Sequence, residues 1–129
     1  MAEKERIRVY EMQPSPLDSL WFHSTCECLT RLAPTGFPVQ AAVHLIRPMD
    51  GQPPPYVELH THETPEVNIL VSPQGDLTYL YRSNGEEFTV KAPACIWIPA
   101  RVPHAEHVIS GSGIFVCLIL SEHYHAQRG

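Results

Sequence analysis

Between Glu58 and Asn68 the chain reads Glu-Leu-His-Thr-His-Glu-Thr-Pro-Glu-Val-Asn, which sets His60, His62 and Glu66 in the order His-x-His-x-x-x-Glu. In a β-strand, residues two apart project from the same face, so His60 and His62 stand side by side. The Glu63-Thr64-Pro65 interruption then lets Glu66 return to that face from the next strand. Two imidazoles and a carboxylate aimed at one point outline a site for a divalent ion, which takes nitrogen and oxygen donors and leaves positions open for chemistry. The plainer reading of the same residues is the polar face of an exposed strand. A fourth donor has to come from elsewhere. The segment Ile98-Pro99-Ala100-Arg101-Val102-Pro103-His104 supplies one, with two prolines framing a tight loop and His104 opening the strand that follows.

Short paired strands are needed to hold such residues, and the sequence supplies them. Residues 7–12 alternate weakly and read as an edge strand, ended by Pro14 and Pro16, which lack backbone donors. Residues 17–32 are mixed; Asp18 and Ser19 stand where they can cap a short helix through Leu20, Trp21 and Phe22. Residues 40–47 form a strand by composition, and 48–55 a stiff, proline-rich connection. Residues 56–62 and 67–72 carry the first motif. Strands over 77–82 and 88–91 are joined by Ser83-Asn84-Gly85-Glu86, in which Asn-Gly favours positive φ. Strands over 95–98, 105–109 and 114–120 complete the set, and the polar tail 121–129 is expected to fray at its end. Turn signals every eight to twelve residues, with no long helical period, point to an antiparallel β-sandwich or small barrel.

Together, His60, His62 and Glu66 with flanking Gly51 and Gly75, and Pro99 with His104, resemble the two-motif signature of the cupin superfamily. Arg101 stands where that family usually has glycine, and Val108 where asparagine is common. The resemblance implies an all-β fold, an antiparallel jelly-roll β-barrel, in a small single-domain cupin of the cupin-2 type. One domain spans 1–129, its core at about 40–120 and an N-terminal extension at 1–39 adding an edge strand and dimer contacts. It implies a divalent metal held by His60, His62, Glu66 and His104. Iron(II) is favoured, and manganese, nickel, cobalt and zinc suit the same donors. It also implies a homodimer.

Strand parity nominates the wall of the site. Tyr56 and Glu58 share the face of His60, Asn68 and Leu70 that of Glu66, and Glu106 that of His104. His44 shares a face with Gln40, Ala42 and Ile46 on the preceding strand. Glu58, Glu106, His44 and Tyr56 are therefore the candidates for proton transfer. The competing reading for either glutamate is a register break that turns it to solvent, since a buried carboxylate needs a partner or a proton. His107 falls on the opposite face and is expected at the surface, and His123 and His125 in a solvated tail. Tyr79, Tyr81 and Arg82 either line the barrel or decorate it, whereas Trp97 and Phe115 are assigned to the core.

At 129 residues the chain is one domain's worth of sequence. A net charge of −5 argues against nucleic acid and an anionic membrane surface as partners. The first ten residues lack the apolar core of a secretory signal and no run is long enough to span a bilayer, so a cytoplasmic protein is expected. Cys26, Cys28, Cys95 and Cys117 are irregularly spaced and read as reduced, structural thiols, the last two within apolar runs. The leading functional expectation is a metal-dependent enzyme, a dioxygenase or similar oxidoreductase, whose small-molecule substrate chelates the ion through oxygen atoms. The alternatives are a non-oxidative isomerase, cyclase or lyase, and a binding barrel without turnover.

Overall fold

The computed structural model describes residues 6–121 and 126–128. Eleven strands are described: β1 (Met12–Pro14), β2 (Leu29–Pro34), β3 (Gln40–Ile46), β4 (His60–His62), β5 (Glu66–Val71), β6 (Thr78–Ser83), β7 (Glu86–Lys91), β8 (Ala94–Ile98), β9 (Ala105–Ser110), β10 (Gly113–Ile119) and β11 (Ala126–Arg128). They make a six-stranded sheet in the order β1-β2-β3-β10-β5-β8, a three-stranded sheet β7-β6-β9 and a β4-β11 pair, every pairing antiparallel. All-β architecture is thus as expected. Among the described residues no helix is long and apolar enough to cross a membrane.

The two larger sheets lay their inner faces against each other. From the first come His44, Phe115 and Leu70, aligned by the β3-β10-β5 register, and from the second Tyr79 and Tyr81. Tyr79 stacks on Phe115 with centroids 4.7 Å apart and ring planes 7° from parallel, joining the layers through aromatic packing. The β6-β7 hairpin turns at Asn84 (φ 53°) and Gly85 (φ 78°), the left-handed pair that Asn-Gly favours.

The outward face of the six-stranded sheet is unusual. Its middle row runs Val43, Val116, Ile69, Cys95 across four paired strands, with Leu45, Ile114, Val71 above and Ala41, Leu118, Val67, Trp97 below. A solvated antiparallel sheet normally alternates apolar and polar residues, and here the outward rows are apolar while His44, Glu66 and Asn68 stand on the inner face. Trp97, at 59% exposure, and the exposed Cys95 belong to this outer face and not to the core, because odd positions of β8 point away from buried Ile98.

Four other sequence expectations shift. The first strand covers Met12–Pro14 and so includes Pro14, which suits an edge that needs no donor there. The short helix is a single 3-10 turn, Leu17–Ser19, preceded by Pro16, with no side-chain cap. Only His60–His62 of residues 56–62 is strand; upstream, Val57 bridges His23. Of the tail, Ala126–Arg128 pairs with β4 instead of fraying, while His123 and His125 lie outside the described residues.

The turn between β9 and β10 passes so close to Asp76 that it requires glycine. A Cβ on Gly111 (φ +84°) would lie 2.0 Å from the Asp76 carbonyl oxygen. Gly111→Ala is therefore expected to destabilise the fold by roughly 2–3 kcal/mol through strain and displacement of backbone, read as a lower urea midpoint with an unchanged slope.

Candidate metal centre

Two backbone hydrogen bonds, His60 N–H to His104 O (3.0 Å) and His104 N–H to His60 O (2.9 Å), zip the first motif to the second. Arg101 N–H donates to the His62 carbonyl at 2.8 Å, docking the proline-framed loop onto the same strand. Arg101 takes φ +67°, so this residue adopts the left-handed turn that glycine makes without strain. The result is that His60, His62, Glu66 and His104, all buried, bring one donor atom each to within 4.8 Å of one another.

Each imidazole is oriented from behind. Nδ1 of His60, His62 and His104 donates to the carbonyls of Glu58 (2.9 Å), Thr64 (2.7 Å) and Val102 (2.9 Å). Carbonyls only accept, so the proton is assigned to Nδ1 and each Nε2 lone pair is left free, the arrangement metal-ligating histidines show. Phe22 stacks on the His60 ring at 3.9 Å and 23°, restricting its rotation.

Glu66 Oε1 then lies 2.8 Å from His62 Nε2 and 3.3 Å from His104 Nε2. Both nitrogens of each ring thus face an oxygen acceptor, which a neutral imidazole cannot satisfy. Either a second proton or a cation must sit between Nε2 and the carboxylate. That is the fit expected of a bound divalent ion, and three imidazoles with one carboxylate are the donor set such an ion takes. Without the ion, the His104 imidazole is raised to about 9: burial would lower it, but the charge of Glu106 and the Glu66 hydrogen bond prevail. Burial would likewise raise the Glu66 carboxyl, yet hydrogen bonds from His104, His62 and Asn68 hold it below the usual range. The other oxygen, Oε2, accepts from Asn68 Nδ2 (2.7 Å), whose Oδ1 accepts from the Tyr81 hydroxyl (2.8 Å).

No protein-family model matches the sequence, and no curated protein matches it. Solved structures do match the fold. An RmlC-like cupin from Shewanella frigidimarina superposes with a TM-score of 0.53 at 17% identity, covering 92% of this chain and 93% of its own. A cupin 2 domain-containing protein from Halorhodospira halophila gives 0.53 at 14% identity over 74% of this chain. A mutant of Bacillus subtilis oxalate decarboxylase gives 0.53 at 20% identity over 82%. This chain spans 61% of the Halorhodospira protein and 29% of the decarboxylase.

The chain has the cupin fold. The jelly-roll barrel read from the two motifs is therefore present, and the donor cluster lies in its interior. One end of the cluster opens on a cupin cavity of about 30 Å³, room for on the order of two waters. Three of the four residues proposed for proton transfer line it: Glu106, His44 and Tyr56. Glu106 Oε2 is 3.9 Å from His104 Nε2 and has no hydrogen-bond partner among the described residues. Burial, then the charge of Glu66, lifts its carboxyl to about 8. Nδ1 of His44 is likewise without a partner among the described residues. The Tyr56 hydroxyl accepts a hydrogen bond from Val108 N–H (3.1 Å), and burial raises its phenol further above the ordinary value.

Glu58 is not in this wall. Its side chain is exposed because the chain at 58–59 has left strand geometry, so parity with His60 no longer holds; only its carbonyl serves the site. His107 does face away from His104 but is buried, not at the surface. Its ring lies 6.0 Å from that of Tyr56, edge to face. The N-terminal forty residues do more than add an edge strand, since Phe22, His23 and Arg31 also line the cavity. Sequence reading missed them, although Leu29-Thr30-Arg31 has the alternation of a half-buried strand and the register sets Arg31 opposite His44.

Burial, followed by the charge of Arg31, lowers His23 to about 3, and burial, followed by His23 and Arg31, lowers His44 to about 3. The unfolded chain takes up these protons near pH 6.5 and the folded chain only near pH 3, so stability falls as pH drops through that window. Each histidine contributes about 1.4 kcal/mol per pH unit. Chelator-treated protein is expected to lose urea resistance steadily from pH 6.5 to 4.5, and His44→Gln to show a shallower decline.

Proposed function

We propose that this chain is a metal-dependent enzyme acting on a small substrate bound through oxygen atoms, an oxidoreductase of dioxygenase type. The observation that carries the reading is a His60, His62, Glu66, His104 cluster opening on a cavity whose wall holds buried polar atoms of Glu106 and His44 without partners among the described residues. A purely structural interior would leave few such atoms. Iron(II) bound to these four side chains would supply Lewis acidity and access to dioxygen.

The chain's own residues account for binding and proton movement. Arg31 brings a permanently charged guanidinium to the cavity wall, held by the Ser15 hydroxyl at 2.7 Å, and its charge favours an anionic oxygen donor such as an enolate or carboxylate. His44, kept neutral by burial, accepts or donates a hydrogen bond without changing the charge of the cavity. Glu106 exchanges a proton near neutrality, where a general acid or base works best. Phe22 and Tyr79 narrow the space and exclude bulk water. The raised Glu106 carboxyl also favours a second reading, a non-oxidative isomerase, cyclase or lyase that needs only Lewis-acid polarisation and a proton carrier.

The two are separated by assaying iron(II)-loaded protein on catechols, β-diketones and 2-oxo acids in an oxygen-electrode cell. Stoichiometric oxygen uptake with substrate loss is the expected result; turnover with no uptake establishes the isomerase or lyase reading, and binding without turnover removes both. On the substrate that turns over, Glu106→Gln is expected to lower kcat by about 10²–10⁴-fold while metal content stays at the wild-type level.

A further inference from the structure

Cys26 and Cys28 take no part in the metal centre, yet the fold brings their sulfurs to 2.9 Å, both residues half-buried and both thiols free. In a strand, residues two apart stand about 7 Å from one another, too far for two short side chains to meet. Here the chain turns at Glu27-Cys28, with Leu29 N–H on the Cys26 carbonyl (3.3 Å), and the turn folds the two side chains together. Its flanks are tied down: Ser24 N–H donates to the Tyr56 carbonyl and Arg47 N–H to the Cys28 carbonyl, each at 2.8 Å. The Arg47 guanidinium spans the turn, donating to the Glu27 carbonyl and to the Thr30 hydroxyl (2.6 Å). The backbone therefore holds the two sulfurs in contact. They line a surface pocket with Arg47, Met49 and Asp50, where small molecules can reach them.

We infer that Cys26 and Cys28 form a redox pair that exchanges two electrons with low-molecular-weight disulfides. A disulfide bond is about 2.05 Å long, so closure asks for an approach of only about 0.9 Å, which side-chain torsion provides. The ring would enclose a single intervening residue. So short a loop removes little entropy from the unfolded chain, and the bond would do little for stability. Accessible disulfides are instead the readily reduced ones, which suits a pair that cycles. Burial, then the hydrogen bond with Cys26, pushes the Cys28 thiol up to about 12, which leaves the shared proton on Cys28 and makes Cys26 the attacking sulfur. The Arg47 charge on the same turn favours a thiolate. The Cys26 thiolate attacks one sulfur of the small disulfide, whose S–S bond breaks as the other sulfur leaves with the bonding pair. Cys28 then gives its proton to water, attacks Cys26 in the mixed disulfide and expels the second small thiolate. The protein gives up two electrons and two protons, and the small disulfide is reduced to two thiols.

The test equilibrates the full-length protein, without oxygen, over a range of ratios of oxidised to reduced glutathione. Samples are quenched in acid, unfolded, alkylated and cut with trypsin. Residues 9–31, bounded by Arg8 and Arg31, carry Cys26 and Cys28 without Cys95 or Cys117. As oxidised glutathione rises, this peptide is expected to pass from the doubly alkylated dithiol to an unalkylated form two hydrogen atoms lighter than the free dithiol, and dithiothreitol to reverse the change. Cys28→Ser, which lacks the resolving sulfur, is expected to hold glutathione on Cys26 at least about tenfold above wild type. A wild-type peptide that stays doubly alkylated at every ratio overturns the inference. So does one that ends as a glutathione adduct without closing, or a folded Cys28→Ser protein that holds no adduct. If Cys28→Ser does not fold, the wild-type masses decide alone.

Discussion

The Glu66 carboxylate, 1% exposed and turned toward three imidazoles, is the constraint around which this barrel is arranged. Carrying a carboxylate into a protein interior costs several kcal/mol unless charge and hydrogen bonds replace the lost water. Here the replacement is partial by design of the backbone. One oxygen accepts from Asn68, itself anchored by Tyr81, and from the Cys117 thiol. The other faces two Nε2 atoms whose rings have already committed Nδ1–H to carbonyls. Protons can fill the gap singly, as the raised His104 shows, but a divalent cation fills it for both rings at once.

Long-range pairing makes that geometry possible. Glu66 reaches the interior from a strand between β10 and β8, while His60 and His104 meet through a two-bond bridge between a three-residue strand and a proline-framed loop. The N-terminal extension closes the other side: β2 delivers Arg31 opposite His44, and the loop before β2 lays Phe22 on His60. The six-stranded sheet therefore bounds the cavity on one face and, on the other, presents apolar side chains outward.

Much of this was legible in the sequence, for a reason that also explains what was not. His60, His62 and Glu66 lie within seven residues, where strand parity pairs the two histidines and the short Glu63-Thr64-Pro65 break returns Glu66 to their face, and the proline-framed His104 stood out against the strand pattern. Parity failed at Glu58 because it presumes an unbroken strand, and the chain is irregular there. It assigned the correct side to His107, but not whether that side meets water, and Trp97 was assigned to the core on its apolar bulk alone. His107 is buried, and Trp97 lies on the outward face of its sheet, 59% exposed. Phe22, His23 and Arg31 were hidden because their place depends on pairing across the sheet, which local pattern does not encode. The resemblance to cupins fixed the fold through two short motifs, and at 14–20% identity the solved relatives carry no more than that.

The central claim, that the buried cluster exists to hold an ion, is tested most directly by elemental analysis of protein purified without added metal, alongside His62→Ala and Glu66→Ala. About one transition-metal ion per chain is expected, with loss of the ion in both variants while their circular dichroism remains that of the wild type. A wild-type protein that carries no ion and takes up none on dialysis against iron(II), manganese or zinc would contradict it.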